Sequence, residues 1–136
     1  MSAAENKKIV TKIMAEMAKG NSRPFGEAMT ENCIWRQMAT SGRWSEVFVS
    51  RQESGERLFA PLRKQYATPY INTPVQIFAD DDYVIVESRG KVTLKSGKQY
   101  NNLYCFVIQM EDGMMREVRE YMDTALADAQ IEPFNT

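Results

Sequence analysis

The stretch Val118-Arg119-Glu120-Tyr121-Met122-Asp123 sets a carboxylate where a simple core strand would carry an apolar side chain. Side chains alternate across a strand, so Val118, Glu120 and Met122 share one face, and Arg119, Tyr121 and Asp123 the other. With the first face turned inward, Glu120 is a carboxyl among apolar neighbours. Desolvation then raises its pKa toward neutrality, which suits a general acid or base. The competing reading is a structural ion pair with Arg89 or Arg36. Glu87 and Arg89 lie two residues apart and share a strand face. Read as inward-facing, they set an arginine where it steadies developing negative charge or tunes the Glu120 carboxyl. Val84, Val86 and Val92 then face outward, toward a dimer contact. Asn102 and Tyr104 fall on one face with Phe106, Ile108 and Met110. A buried amide and hydroxyl need partners there: a ligand, water or each other.

The residue inventory narrows the chemistry. The 136 residues contain no histidine, so proton transfer must use carboxylate, tyrosine or lysine. Zinc and most transition-metal sites are not expected, and no organic cofactor is called for. Cys33 and Cys105 lack C-x-x-C spacing and an activating histidine, and read as small buried hydrophobes. The net charge is −1, with no Lys/Arg-rich block, which argues against nucleic acid and anionic membranes as partners. No apolar run approaches the roughly 20 residues of a membrane span, and the first residues lack a signal-peptide core. A cytoplasmic location is the expectation.

These residues must be positioned by a single domain, 1–136. Ser2 and Glu5 have capping-box spacing and open a helix over 3–19, whose apolar stripe includes Ile9, Val10, Ile13, Met14 and Met17. Gly20 ends it. A short second helix is predicted over Pro24–Met29, a strand over Glu31–Met38 and another over Trp44–Val49. Ser50 and Glu53 repeat the capping box before a third helix to about Tyr66, and Pro61 predicts a kink or early end. Val75–Ala79 reads as a strand near an edge, because Pro74 lacks the ladder donor. Tyr83–Leu94 is a long strand, turning at Lys95-Ser96-Gly97-Lys98. The final hairpin turns at Glu111-Asp112-Gly113, and Asp123 caps a last helical turn near Ala125–Ala129.

Gly97-Lys-Gln-Tyr-Asn-Asn-Leu-Tyr104, Phe106-Val-Ile, Asp112-Gly113 and Val118-Arg-Glu-Tyr-Met-Asp123, with this order of elements, resemble the nuclear transport factor 2-like superfamily, especially its SnoaL-like branch of ketosteroid isomerases, polyketide cyclases and limonene epoxide hydrolase. The resemblance implies an α+β, cone-shaped fold. A curved antiparallel sheet of about six strands would wrap over three helices from the N-terminal half, with a pocket inside and a homodimer through the outer sheet face. In the epoxide hydrolases an aspartate stands at the position of Glu120. Their Arg-x-Asp matches Glu87 and Arg89 in reversed order, so epoxide opening itself is not implied. Their water-positioning Tyr-x-Asn matches Trp35 and Gln37; Trp35 also reads as a pocket-wall aromatic.

The expected function is a pocket for a small, mostly apolar molecule bearing an oxygen function. Phe59, Val118 and Met122 would line it with Trp35, Gln37, Asn102 and Tyr104, and methionines would give it an adaptable wall. Catalysis, if present, is proton transfer of the isomerase, cyclase or hydratase kind, with Glu120 as base and Arg89 and Glu87 beside it. A carrier or sensor without turnover is the alternative. So is an interaction module whose pocket is plugged by Trp35, Trp44 and Phe59.

Overall fold

Residues 1–134 are described by the computed structural model. The first helix, α1 (Ala3–Met17), begins at the predicted capping box: the Glu5 amide donates to Ser2 Oγ and the Ser2 amide to Glu5 Oε1, both at 3.1 Å. Its buried stripe is Val10, Ile13, Met14 and Met17. The short α2 (Arg23–Glu27) ends before Met29, which already begins strand β1 (Met29–Gln37). Strand β2 (Val47–Phe48) is shorter than predicted.

A single helical run follows, assembled from α3 (Arg51–Ser54), a π-helical turn (Gly55–Phe59) and α4 (Ala60–Gln65). Proline has no N–H, and its ring clashes with a regular α-helical carbonyl four residues back. Here the wider turn, in which the Ala60 amide reaches Gly55 O, carries the helix through Pro61. The predicted early end at Pro61 does not occur; a local widening carries the helical run through it to Gln65.

Strands β3 (Ile71–Asp80), β4 (Tyr83–Lys91), β5 (Leu103–Glu111) and β6 (Met114–Met122) complete a curved six-stranded sheet, ordered β2-β1-β6-β5-β4-β3. Pro74 sits in edge strand β3 at a register shift, where no ladder donor is missed. The β5–β6 hairpin turns at Asp112 and Gly113, both with positive φ, matching the right-handed strand twist. One expectation is corrected: the sheet is mixed, because β1 runs parallel to β6. That pairing joins segments about 80 residues apart, with β2 to β5 and the helical run between them, and no local turn signal announces it. Helix α5 (Thr124–Gln130) follows, its Leu126 amide capped by Asp123 Oδ1 at 3.2 Å as predicted.

The core lies between the inner sheet face and the helices. Val84, Val86, Ile108, Met115 and Val118 are fully buried against Val10 and Met14. The opposite sheet face carries an ion triad in which Glu117 bridges Arg36 at 2.9 Å and Arg119 at 3.0 Å.

Candidate functional site

Glu120 stands on β6 between Gln37 of β1 and Phe106 of β5, all on the concave face. Its carboxyl opens into a cavity of about 880 Å³ between sheet and helices. The walls are aromatic. Trp35 packs edge-on against Phe59 at 4.9 Å between ring centroids and against Phe106 at 5.9 Å. Phe25 closes on Trp35 at 6.0 Å.

The one side-chain hydrogen bond to the Glu120 carboxyl among the described residues comes from Trp35, whose Nε1 donates to Oε1 at 3.3 Å. No arginine or lysine pairs with it among the described residues, so the structural ion pair with Arg89 or Arg36 is not formed. Burial pushes the Glu120 pKa up to about 7, and the Trp35 bond only partly opposes this. The surface that Glu120 retains faces the cavity.

Beside the carboxyl lies a cluster of tyrosines. Tyr66 and Tyr70 stack at 5.6 Å, and Tyr104 stacks on Phe106 at 5.4 Å. The Tyr104 side chain lies close to those of Tyr70 and Tyr100. Amides bound this group at both ends: Asn72 Nδ2 donates to the Tyr70 oxygen at 3.1 Å and Asn102 Nδ2 to the Tyr100 oxygen at 3.0 Å. Among the described residues the Tyr100 hydroxyl donates only to Met122 Sδ at 3.7 Å, a weak acceptor. One O–H donor at the cavity surface is thus available to a better partner. Burial raises the pKa of Tyr66, Tyr70, Tyr100 and Tyr104, so all four remain neutral donors.

Gly90 makes this packing possible. A Cβ there would lie 2.9 Å from Tyr104 Cε2 and 3.2 Å from the Tyr70 hydroxyl. Its lack of a side chain lets both tyrosines press onto the β4 backbone.

Of the residues singled out from sequence, Glu120, Trp35, Gln37, Tyr104, Phe59 and Met122 come together at the cavity. Four do not. Glu87 and Arg89 are exposed on the convex face, because Val84, Val86, Ser88 and Gly90 form the inner face of β4. The inward placement of that pair is corrected; the buried valines pack on the helices, and the room at Ser88 and Gly90 is taken by Tyr104 and Tyr70. Val118 is wholly buried in the core without reaching the cavity. Asn102 also lies outside the lining and ties a chain corner: Nδ2 donates to Asp123 O at 3.0 Å and Oδ1 accepts from the Asp123 amide at 3.3 Å. Cys33 is buried, and burial pushes its thiol up to about 12.

Sequence reasoning missed Tyr66, Tyr70, Asn72 and Tyr100. Tyr66 and Tyr70 flank the turn after α4, where neither strand nor helix periodicity applies. Tyr100 lies just before β5, where its amide bonds to Val92 O and no strand or helix pattern marks it. The cavity is open among Trp35, Trp44 and Phe59, which line it without filling it.

No protein-family model matches the chain, and no curated protein matches it. Solved structures do. A nuclear transport factor 2-like protein from Burkholderia thailandensis superposes with a TM-score of 0.77 at 19% identity, covering 98% of this chain and 100% of that one. A candidate isomerase from Bacillus subtilis gives 0.75 at 20% identity, over 95% and 94%. A candidate SnoaL-like polyketide cyclase from a Jannaschia species gives 0.72 at 15% identity, over 96% and 95%. At these identities the likeness establishes the fold alone: the chain has the nuclear transport factor 2-like fold.

Proposed function

We propose that the chain binds a small, mostly apolar molecule bearing a carbonyl or related oxygen, and moves a proton on it with Glu120 as base. The observation that carries this reading is an unpaired carboxyl with a pKa of about 7 inside an aromatic cavity, beside an under-used tyrosine donor. Near neutral pH such a carboxyl is divided between its acid and base forms, which is the condition for efficient transfer in both directions. Glu120 as carboxylate takes the proton from the carbon next to the carbonyl. The electron pair of that C–H bond moves onto the oxygen, whose charge the Tyr100 O–H stabilises in place of the thioether contact. The carboxylic acid so formed returns the proton to another carbon, completing an isomerisation; in a cyclisation the enolate carbon attacks a second carbonyl carbon and the acid protonates the alkoxide so formed. The isomerase and cyclase names among the structural neighbours point the same way.

The test is deuterium exchange. Cyclic enones and β,γ-unsaturated ketones are incubated with the protein in D₂O, and loss of the α-proton is followed by NMR. The wild type is expected to accelerate exchange and Glu120→Gln to lose about 100-fold or more of that rate. Equal rates in both proteins would refute the role of Glu120.

The homodimer is proposed on separate grounds. Phe78, Leu103 and Tyr121 are about half exposed on the convex face, near Ile85 and Val107. Covering such a patch with a second copy would remove it from water. Light scattering is expected to give twice the chain mass, and a monomer at high concentration would count against the contact.

A further inference from the structure

We infer that the ligand is an organic anion, held by its charged group at the cavity mouth against Arg51, with its oxygen function directed inward to Glu120. The inference rests on the small-molecule reading above and adds the ligand's charge and orientation. The exposed residues among the cavity lining mark its opening; they include Ser22, Arg23, Glu27, Arg51, Arg63 and Thr68. The rim therefore carries three arginines and one glutamate on a chain whose net charge is −1. Glu27 lies 3.7 Å from Arg23 and partly offsets it. Neither Arg51 nor Arg63 has a carboxylate within ion-pair distance among the described residues; Arg43 and Arg89, outside this cavity, also lack one, whereas Arg23, Arg36, Arg57, Arg116 and Arg119 have one.

The two rim cations differ in what else explains them. Arg63 occupies the last turn of α4, where a positive charge complements the helix dipole. Arg51 occupies the first turn of α3, directly after the Ser50 cap, where the dipole disfavours a cation. Helix stability thus accounts for Arg63 and not for Arg51. The Arg51 guanidinium is held by one bond, Nη1 to Met29 O at 3.1 Å, which fixes its position and leaves its other N–H groups free to bind a carboxylate or sulfonate. Along the helical run the two arginines are 12 residues apart, about 18 Å, so one small charged group engages only one of them. Inside the mouth the lining is mainly aromatic and aliphatic, with Glu120 among it, and the Glu120 carboxyl is neutral in about half the molecules near pH 7 and does not strongly repel an anion. Positive mouth, apolar middle and hydrogen-bonding floor match an amphipathic acid entering tail first.

Two dyes with nearly the same aromatic body separate the possibilities: anionic 1-anilinonaphthalene-8-sulfonate and neutral N-phenyl-1-naphthylamine. Fluorescence titration is expected to give about tenfold tighter binding of the sulfonate at low salt. Arg51→Gln should reduce that preference to about threefold or less, Arg51→Lys should retain most of it, and Arg63→Gln should leave it intact. Near-ultraviolet circular dichroism checks that each variant is folded. Equal affinity for both dyes in the wild type overturns the inference while leaving the small-molecule reading standing. Retention of the preference in folded Arg51→Gln, or its loss only in Arg63→Gln, overturns the assignment to Arg51. Failure of both dyes to bind overturns the inference together with the reading beneath it.

Discussion

A carboxyl that folding forces out of water must leave a mark on stability, and its size follows from the pKa. The ordinary glutamate value of 4.5 is raised to about 7 for Glu120. Below pH 4.5 the group is protonated in both folded and unfolded chains and has no effect. As pH rises, the unfolded chain releases its proton first, so the folded state binds more protons and stability falls until pH passes about 7. Each pKa unit corresponds to 1.36 kcal/mol, so the group's total effect is about 3 kcal/mol. Between about pH 5 and pH 8.5 the change is about 2.5 kcal/mol, because a little titration precedes pH 5. Glu120→Gln keeps the shape and cannot ionise. Urea unfolding of both proteins at the two pH values should show the variant gaining about 2.5 kcal/mol on the wild type from the lower pH to the higher. A difference between the proteins that stays constant with pH would mean that the carboxyl is solvated, and would refute the reasoning from burial.

Other consequences are equally open to measurement. Gly90→Ala should destabilise by about 1–3 kcal/mol in denaturant unfolding, since its Cβ meets Tyr104 at 2.9 Å and the β4 backbone has little room to yield. Asn102→Ala removes the donor to Tyr100 and both bonds to the Asp123 backbone, and should lower stability by about 2–3 kcal/mol. Glu87→Gln and Arg89→Gln lie on the convex face, away from the cavity, and should leave dye binding in the cavity unaltered in the same fluorescence titration.

Much of this architecture is written in local signals. The caps at Ser2, Ser50 and Asp123, and the turn at Asp112-Gly113, are short-range chemistry that the sequence displays openly. Glu120 was legible because it is the one polar residue on the strand face that it shares with Val118 and Met122. The face of β4 was not. Val84 and Val86 suited either side of the sheet, and the decisive residues were the small ones, Ser88 and Gly90, whose meaning depends on Tyr70 and Tyr104 arriving from other segments. Likewise, the tyrosine cluster assembles from the turn after α4 and the approach to β5, and no periodic pattern joins them. The parallel β1–β6 pairing and the π-helical passage at Pro61 are likewise products of tertiary packing.

The central claim, a carboxyl held inside an apolar hollow and titrating near neutrality, is tested most directly by carbon-13 NMR of the Glu120 side chain across a pH series. The expected midpoint is about 7. A midpoint at the ordinary glutamate value of 4.5 would contradict it.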